Sequence, residues 1–392
     1  MASIILVLIY TALSALAGFC TDLCLHRWKR TAHKAAGLRR IWLPAYILLS
    51  LLPVFGAFLP DSGAKFALQG AGNIWLGFYI YYGWILVTLL VCMQILCVLS
   101  RGRTGKGYGA ALSVSLCVTV CLVGYGLHHA QQTAVKRFDL SVEKSAGGLQ
   151  EMKLVLIGDL HLGVNSRLAT TERMVELINA EEPDAVVIAG DIFTSSYGGL
   201  RQPEAYAEAL RGIRTKYGVF AVYGNHDVEE TLFGGFPISP LENAFRTAQM
   251  EAFFDACGFT TLADETVLLG GSVQLSGRID GERAGDGTKN RMTAAELLKD
   301  CEKSLPVLVL EHEPKDFHAL EEAGADTVLC GHTHNGQIFP GNLIIPFFNE
   351  NAYGLVRVGR MDTLVTAGVG YYGPPMRIGT DSEVTVVTLH FE

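Results

Sequence analysis

Lys153-Leu154-Val155-Leu156-Ile157-Gly158-Asp159-Leu160-His161 is the stretch that decides the fold of this chain. Its first five residues form a short apolar run of the type found in buried strands. A Gly-Asp turn and a histidine follow at once. The arrangement recurs downstream. Ala185–Ala189 runs into Gly190-Asp191, and Gly218–Tyr223 runs into Gly224-Asn225-His226-Asp227. Val307–Leu310 precedes Glu311-His312-Glu313-Pro314, and Thr327–Cys330 precedes Gly331-His332-Thr333-His334. Helical spacing fills the gaps, over Ser166–Ala180, Pro203–Ile213, Leu241–Cys257, Met292–Cys301 and Lys315–Glu322. Thr266–Leu269 and Val273–Ser276 read as a hairpin around Gly270-Gly271, and the chain is strand-rich from Leu343 onward. Strands alternating with helices give an α/β class, and the surplus strands point to a second sheet. Ligands in such folds sit beyond the carboxyl ends of the strands, where each polar motif falls.

The residue types in these motifs suit metal chemistry. In extended chain, residues i and i+2 point the same way, so Asp159 and His161 can reach one ion together. His332 and His334 form a second such pair, able to serve one ion or two neighbours. Asp191 stands alone after its strand, as a carboxylate shared by two ions would. Asn225 offers a neutral amide oxygen. The set of two Asp, one Asn and His161, His312, His332 and His334 contains no thiolate. Mixed oxygen and nitrogen donors fit Mn²⁺, Fe, Zn²⁺ or Co²⁺ better than a structural zinc knot. Each motif alone is weak, because an isolated Gly-Asp is more often a turn. Their order, each at a strand end, carries the signal.

Asp-x-His, Gly-Asp, Gly-Asn-His-Asp, a lone His and Gly-His-x-His together resemble the signature of the calcineurin-like metallophosphoesterases, over about residues 152–392. The resemblance extends to the bacterial branch with N-terminal membrane segments, through Gly336-Gln337 and through Gly368-Val369-Gly370 followed by Pro375-Met376-Arg377. Asn335 departs from that branch, which often has Gly there, but Asn tolerates similar backbone angles. The resemblance implies a four-layer α/β sandwich. It implies that Asp159, His161, Asp191 and His334 hold a first metal, and that Asp191, Asn225, His312 and His332 hold a second. It implies that His226 faces the scissile phosphate, with Asp227 orienting its ring. Arg377 is a weaker substrate candidate, equally readable as an ion pair. Tyr371 and Tyr372 are read as packing residues that could line the pocket. Arg278 and Asp280 are expected to pair with each other, and His318 and His390 are read as structural.

Upstream the composition changes. Four apolar stretches, about residues 3–23, 41–60, 74–100 and 109–127, each approach the length of about 20 residues needed to span a bilayer. None carries a mid-span charge. Pro44 and Pro53 would kink the second. Trp28, Trp42, Trp75 and Trp84 lie in or near these segments, where an interfacial belt is expected. The first stretch lacks a basic leader, so an uncleaved helix is expected rather than a signal peptide. The first loop carries Arg27, Lys29, Arg30, Lys34, Arg39 and Arg40, and the third carries Arg101, Arg103 and Lys106. The second carries only Lys65, with Asp61 against it. Basic loops stay cytoplasmic, which puts both termini outside and the hydrolytic part on the extracytoplasmic side of a multi-pass cell-membrane protein. Residues 1–127 are therefore an α-helical transmembrane bundle, 128–150 a tether, and 151–392 the catalytic domain.

The 392 residues carry a formal net charge of −8, which argues against bulk binding of nucleic acid. Nine cysteines without regular spacing read as free buried thiols. The function expected is a metal-dependent phosphodiesterase at the membrane surface, with two divalent ions, Mn²⁺ foremost. A hydrolase of a lipid-linked or nucleotide-sugar pyrophosphate is the first alternative. A catalytically inactive sensor or scaffold is the second, although every expected ligand is present. A transporter formed by the helices finds no support in charged residues within the spans. The loops at 193–202, 231–240 and 281–291 are expected to shape the substrate pocket.

Overall fold

The computed structural model describes residues 2–28, 32–60, 62–100, 107–233 and 236–392. The chain divides into two compact units. One comprises residues 1–128 with Leu232–Ile238 and Gly373–Met376, and the other comprises the remainder.

In the first unit, α1 (Ala2–Arg27), α2 (Ala32–Phe58), α3 (Gly63–Leu99) and α4 (Tyr108–His129) are long and apolar enough to cross a membrane. Helix α2 runs through both prolines. Helices α2 and α3 approach closely at small residues. A Cβ on Gly72 would fall 3.0 Å from the Pro53 nitrogen, and one on Gly56 would fall 2.8 Å from the Gln69 Cα. Such contacts replace the hydrophobic drive that is missing between helices in lipid. Two tyrosine hydroxyls bond to carbonyls of neighbouring helices. The Tyr46 hydroxyl donates to the Ser14 carbonyl at 2.8 Å or less (2.7 Å), and the Tyr10 hydroxyl donates to that of Ser50 at 2.8 Å. Helix α3 begins earlier than the apolar run suggested. Ser62 caps it by accepting from the Lys65 N–H, so Lys65 lies in its first turn instead of a loop. At 1.5 Å per residue the 37-residue helix is about 55 Å long, well beyond the roughly 30 Å of a hydrocarbon core. Of the charges used to orient the spans, Lys29, Arg30, Asp61, Arg101, Arg103 and Lys106 lie outside the described residues, as do the side chains of Lys34 and Arg39.

The second unit contains β1 (Thr133–Val142), β2 (Glu151–Ile157), α5 (Leu168–Ala180), β3 (Ala185–Ala189), α6 (Pro203–Arg211) and β4 (Val219–Val222). After the hairpin of β5 (Leu232–Phe233) and β6 (Phe236–Pro237), which belongs to the first unit, come α7 (Ala248–Cys257), β7 (Thr260–Thr261), β8 (Glu265–Leu269) and β9 (Val273–Gly277). Then follow α8 (Ala294–Leu297), β10 (Val307–Leu310), α9 (Phe317–Ala323), β11 (Thr327–Cys330), α10 (Gly341–Ile344), β12 (Gly354–Val358), β13 (Met361–Val365) and β14 (Ser382–Phe391). Two six-stranded sheets result, ordered β1-β14-β2-β3-β4-β7 and β12-β13-β11-β10-β9-β8.

Period-two alternation sorts the side chains into layers. On β2, Leu154 and Leu156 enter the core between the sheets, where they join Leu308, Leu310 and Leu329. Val155 and Ile157 face the other way, onto Met174 and Ile178 of α5, Tyr206 and Leu210 of α6 and Phe254 of α7. On β10, Val307 and Val309 pack with α8 and α9. This is the expected four-layer sandwich. Each fully buried Leu or Val contributes about 1.5–3 kcal/mol to it.

Residues 128–150 are not a tether. β1 pairs in parallel with all ten residues of β14 and forms the edge of the first sheet. Phe138, Leu140 and Val142 alternate with Asp139 and Ser141, a period-two signal that the scattered charges obscured. The helix expected at 241–257 is shorter, because Thr247 caps α7 by accepting from the Met250 N–H. Phe245, ahead of it, makes bridges to Glu229 and Asp286 instead. The helices expected at 292–301 and 315–322 are likewise short.

Candidate metal centre

The ligand motifs leave the carboxyl ends of parallel strands from both sheets. Asp159 and His161 follow β2, Asp191 follows β3, and Asn225 and His226 follow β4. His312 follows β10, and His332 and His334 follow β11. The backbone ladder continues past the strand ends, with Asp159 N–H donating to Gly190 C=O at 2.9 Å and His161 N–H to Asp191 C=O at 3.0 Å. The side chains therefore cannot diverge with the loops.

Asp159, His161, Asp191, His332 and His334 all have positive φ, between 45° and 74°. This conformation costs a non-glycine residue about 1–2 kcal/mol. Here it turns each side chain back over the strand ends, and such strain concentrates at functional sites. Asn335, at φ 50°, takes the same conformation, which Asn tolerates better than most residues. The glycines beside the ligands make room for them. A Cβ on Gly224 would lie 2.2 Å from an Asp191 carboxylate oxygen, and one on Gly331 would lie 2.6 Å from an Asp159 oxygen.

Two groups of donor atoms form, with Asp191 in reach of both. In the first, His161 Nε2 lies 3.0 Å from His334 Nε2 and 3.6 Å from Asp191 Oδ2, and His334 Nε2 lies 3.6 Å from Asp159 Oδ1. In the second, His312 Nε2 lies 3.2 Å from Asp191 Oδ2, 2.9 Å from Asn225 Oδ1 and 3.0 Å from His332 Nδ1. Donors about 2.0–2.2 Å from a shared ion, at tetrahedral or octahedral angles, stand about 2.9–3.5 Å apart. The observed spacing fits that geometry, and the nitrogen and oxygen donors fit a divalent cation. His312 Nδ1 donates to the Ala189 carbonyl at 2.7 Å, which turns Nε2 toward the group.

Burial dominates the electrostatics. It pushes the Asp159 carboxyl up to about 7, and it pulls His161 and His332 down to about 3. Burial also opposes charge on His312, but the Asp191 carboxylate overcomes it and holds that ring well above its usual value. So many ionisable groups gathered out of water is a costly arrangement that bound cations would offset.

His226 stands beside the donors without joining them. Its N–H donates to Asp191 Oδ1 at 2.8 Å, and its ring stacks on Tyr372 at 4.4 Å. Its Nδ1 lies 2.6 Å from Glu230 Oε1, and Glu230 also pairs with Arg283. Asp227 is elsewhere. Its carboxylate accepts the backbone N–H of Phe193 at 2.9 Å and of Gly224 at 2.8 Å, so it fixes the loops after β3 and β4 and does not touch the His226 ring.

Other expectations change as well. Arg377 is fully buried and faces no solvent where a substrate would be. It donates to the carbonyls of His334, Ala367, Gly368 and Gly370. Arg278 pairs with Glu311 and Asp316. Asp280 accepts the N–H groups of Glu282 and Arg283, so the two do not pair with each other. Tyr372 is a site residue, held by Gln337 through Tyr372 N–H to Oε1 at 2.7 Å and Nε2 to the Tyr372 carbonyl at 2.9 Å. Tyr371 bonds the Asn165 carbonyl. His318 and His390 lie away from the site, 3.2 Å from Glu350 and 3.5 Å from Asp139. Sequence reasoning missed Glu230 and Arg283, whose loops carry no motif.

Comparison with known proteins places the chain among related sequences. The profile of the calcineurin-like phosphoesterase family matches residues 152–336. A transmembrane protein with metallophosphoesterase domain from Danio rerio is 30% identical over 407 residues, covering 93% of this chain and 86% of its own length. A protein of the same description from Bos taurus is 28% identical, covering 76% of this chain and 71% of its own length. An uncharacterised metallophosphoesterase of Helicobacter pylori is 31% identical over 245 residues, covering 61% of this chain and 60% of its own length.

Proposed function

The chain belongs to the calcineurin-like metallophosphoesterase family, and on that premise we propose that it is a dinuclear phosphodiesterase acting on a phosphoester at the membrane surface. The observation that carries this reading is the pair of donor groups that share Asp191. Asp159, His161, Asp191 and His334 would hold one ion. Asp191, Asn225, His312 and His332 would hold the other. Two divalent ions held there, Mn²⁺ in this proposal, would supply Lewis-acid charge for the phosphoryl oxygens and would lower the pKa of water.

The chain's own residues do the rest. His226 offers a ring nitrogen at the edge of the donor groups, where a leaving oxygen needs a proton. Tyr372 packs its ring flat against His226 and limits how that ring turns. The loops after β3 and β4, tied together by Asp227, keep His226 in place before substrate arrives, and Gln337 does the same for Tyr372. Such preorganisation is worth several powers of ten in rate.

The four apolar helices would make the protein multi-pass in the cell membrane. The basic first and third loops favour an extracytoplasmic catalytic unit. That setting also admits a lipid-linked phosphoester or pyrophosphate as the substrate.

Hydrolysis of bis-p-nitrophenyl phosphate and of p-nitrophenyl phosphate by the full chain, with Mn²⁺ and with chelator, tests the reading. Metal-dependent cleavage with the diester preferred is the expected result. Preference for the monoester would remove the diesterase assignment. No turnover by folded protein that holds two metals would favour the inactive sensor.

A further inference from the structure

We propose that Glu230 is the positioning residue for His226 and that Arg283 holds Glu230 in that role. The inference rests on the hydrolase reading and names a part of its machinery that the motif does not contain. The Gly-Asn-His-Asp motif offers Asp227 as the obvious partner, but both Asp227 oxygens are engaged by backbone N–H groups. Glu230 takes the place instead. Its side chain is fully buried, with Oε1 at 2.6 Å from His226 Nδ1 and Oε2 on the Arg283 guanidinium. Its N–H donates to the Ser195 carbonyl at 3.0 Å, so the backbone beneath it is fixed too.

The arrangement has the form of a base oriented by a third group. Glu230 accepts from Nδ1, which fixes the ring plane and leaves Nε2 for the substrate. When both nitrogens carry protons, the carboxylate stabilises the imidazolium. In the reaction, a water oxygen forms the new bond to phosphorus. The bond to the leaving oxygen breaks, and that oxygen keeps the electron pair and takes the Nε2 proton. The water's proton passes to solvent, and His226 regains one from solvent. Arg283 comes from the loop at 281–291, so that loop takes part in catalysis by way of Glu230.

The test compares leaving groups. A good leaving group such as p-nitrophenolate needs little protonation, whereas an alkoxide needs it fully. Full-length wild type, Glu230→Gln, Arg283→Met, Asp227→Asn and His226→Ala are assayed in detergent with p-nitrophenyl and alkyl phosphodiesters. For Glu230→Gln we expect kcat on the alkyl ester to fall on the order of 100-fold, the p-nitrophenyl ester to lose under about 5-fold, and KM to stay unchanged. Retained p-nitrophenyl turnover also reports that the variant folds. Adding Glu230→Gln to His226→Ala is expected to cost nothing more, as for two residues acting as one unit. Proton NMR supplies a readout free of turnover: a far-downfield Nδ1–H resonance present in wild type and absent from both the Glu230→Gln and His226→Ala proteins. Equal losses on both esters, or a downfield proton that survives Glu230→Gln, would overturn the proposal. A leaving-group effect confined to Asp227→Asn would return the role to Asp227. Should wild type turn over neither ester, the hydrolase reading fails, and the NMR result still decides the pairing.

Discussion

Asp191 Oδ2 and His312 Nε2 lie 3.2 Å apart, although they follow strands of different sheets. The contact closes the second donor group across the seam of the sandwich. Asp191 Oδ2 also lies 3.6 Å from His161 Nε2 in the first group. One carboxylate therefore lies within reach of both groups.

Removing it should cost both ions. Asp191→Ala is expected to bind less than one metal per chain and to lose turnover entirely. Elemental analysis of protein purified in Mn²⁺ checks this. Two ions per chain in the variant would show that Asp191 is no bridge.

Arg377 predicts a stability effect and not a substrate effect. Its guanidinium is wholly buried and satisfies four carbonyls. Arg377→Met strips the Ala367 and Gly370 carbonyls of this donor, while those of His334 and Gly368 still accept the N–H groups of Gln337 and Glu383, so the cost is on the order of 2–4 kcal/mol. Urea denaturation of the full chain should show a large drop in the midpoint. A variant as stable as wild type but with a raised KM would instead restore Arg377 as a substrate contact.

The Lys136–Asp381 pair predicts a pH dependence. Lys136 Nζ lies 2.8 Å from Asp381 Oδ2, and this hydrogen bond holds the Asp381 carboxyl below the usual carboxylate range. A depressed folded-state pKa gives stability that is present above the unfolded value, about 3.9, and is lost as pH falls through the folded value. Asp381→Asn should therefore destabilise at pH 7, by at most about 1 kcal/mol for so exposed a pair, and have little effect near pH 2. Urea midpoints at the two pH values decide it. An equal loss at both would place the effect elsewhere.

Strand β1 predicts where the catalytic unit can be cut. A truncation beginning at residue 145 removes β1 and uncovers the ten-residue edge of β14. Uncovered edges invite pairing with other chains. Protein beginning at 145 should aggregate or melt well below protein beginning at 129. Light scattering and thermal melts compare the two, and equal behaviour would make β1 dispensable.

The sequence alone determined what is local and repeated. A short apolar run such as Lys153–Ile157, stopped by Gly158 and repeated between helical segments, reads as a buried strand, and the recurrence of polar motifs at such strand ends marks the candidate ligands. The same holds for the apolar helices, whose length and lack of charge identify them without partners. The candidate ligands were legible for this reason, because Asp, Asn and His at strand ends have the chemistry a divalent ion takes. Tertiary structure alone decided which neighbour each side chain keeps. Glu230 reaches His226 through a loop with no periodicity, and Arg283 reaches Glu230 from another part of the chain. Asp227 had the right chemistry and adjacency for that role, but the N–H groups of Phe193 and Gly224 satisfy it first. Arg377 likewise carries a charge fit for phosphate, yet it closes a set of loop carbonyls that exist only once the fold has formed. Strand order belongs to the same class. β1 is an edge strand because β14, at the other end of the catalytic unit, offers it a row of unpaired backbone groups.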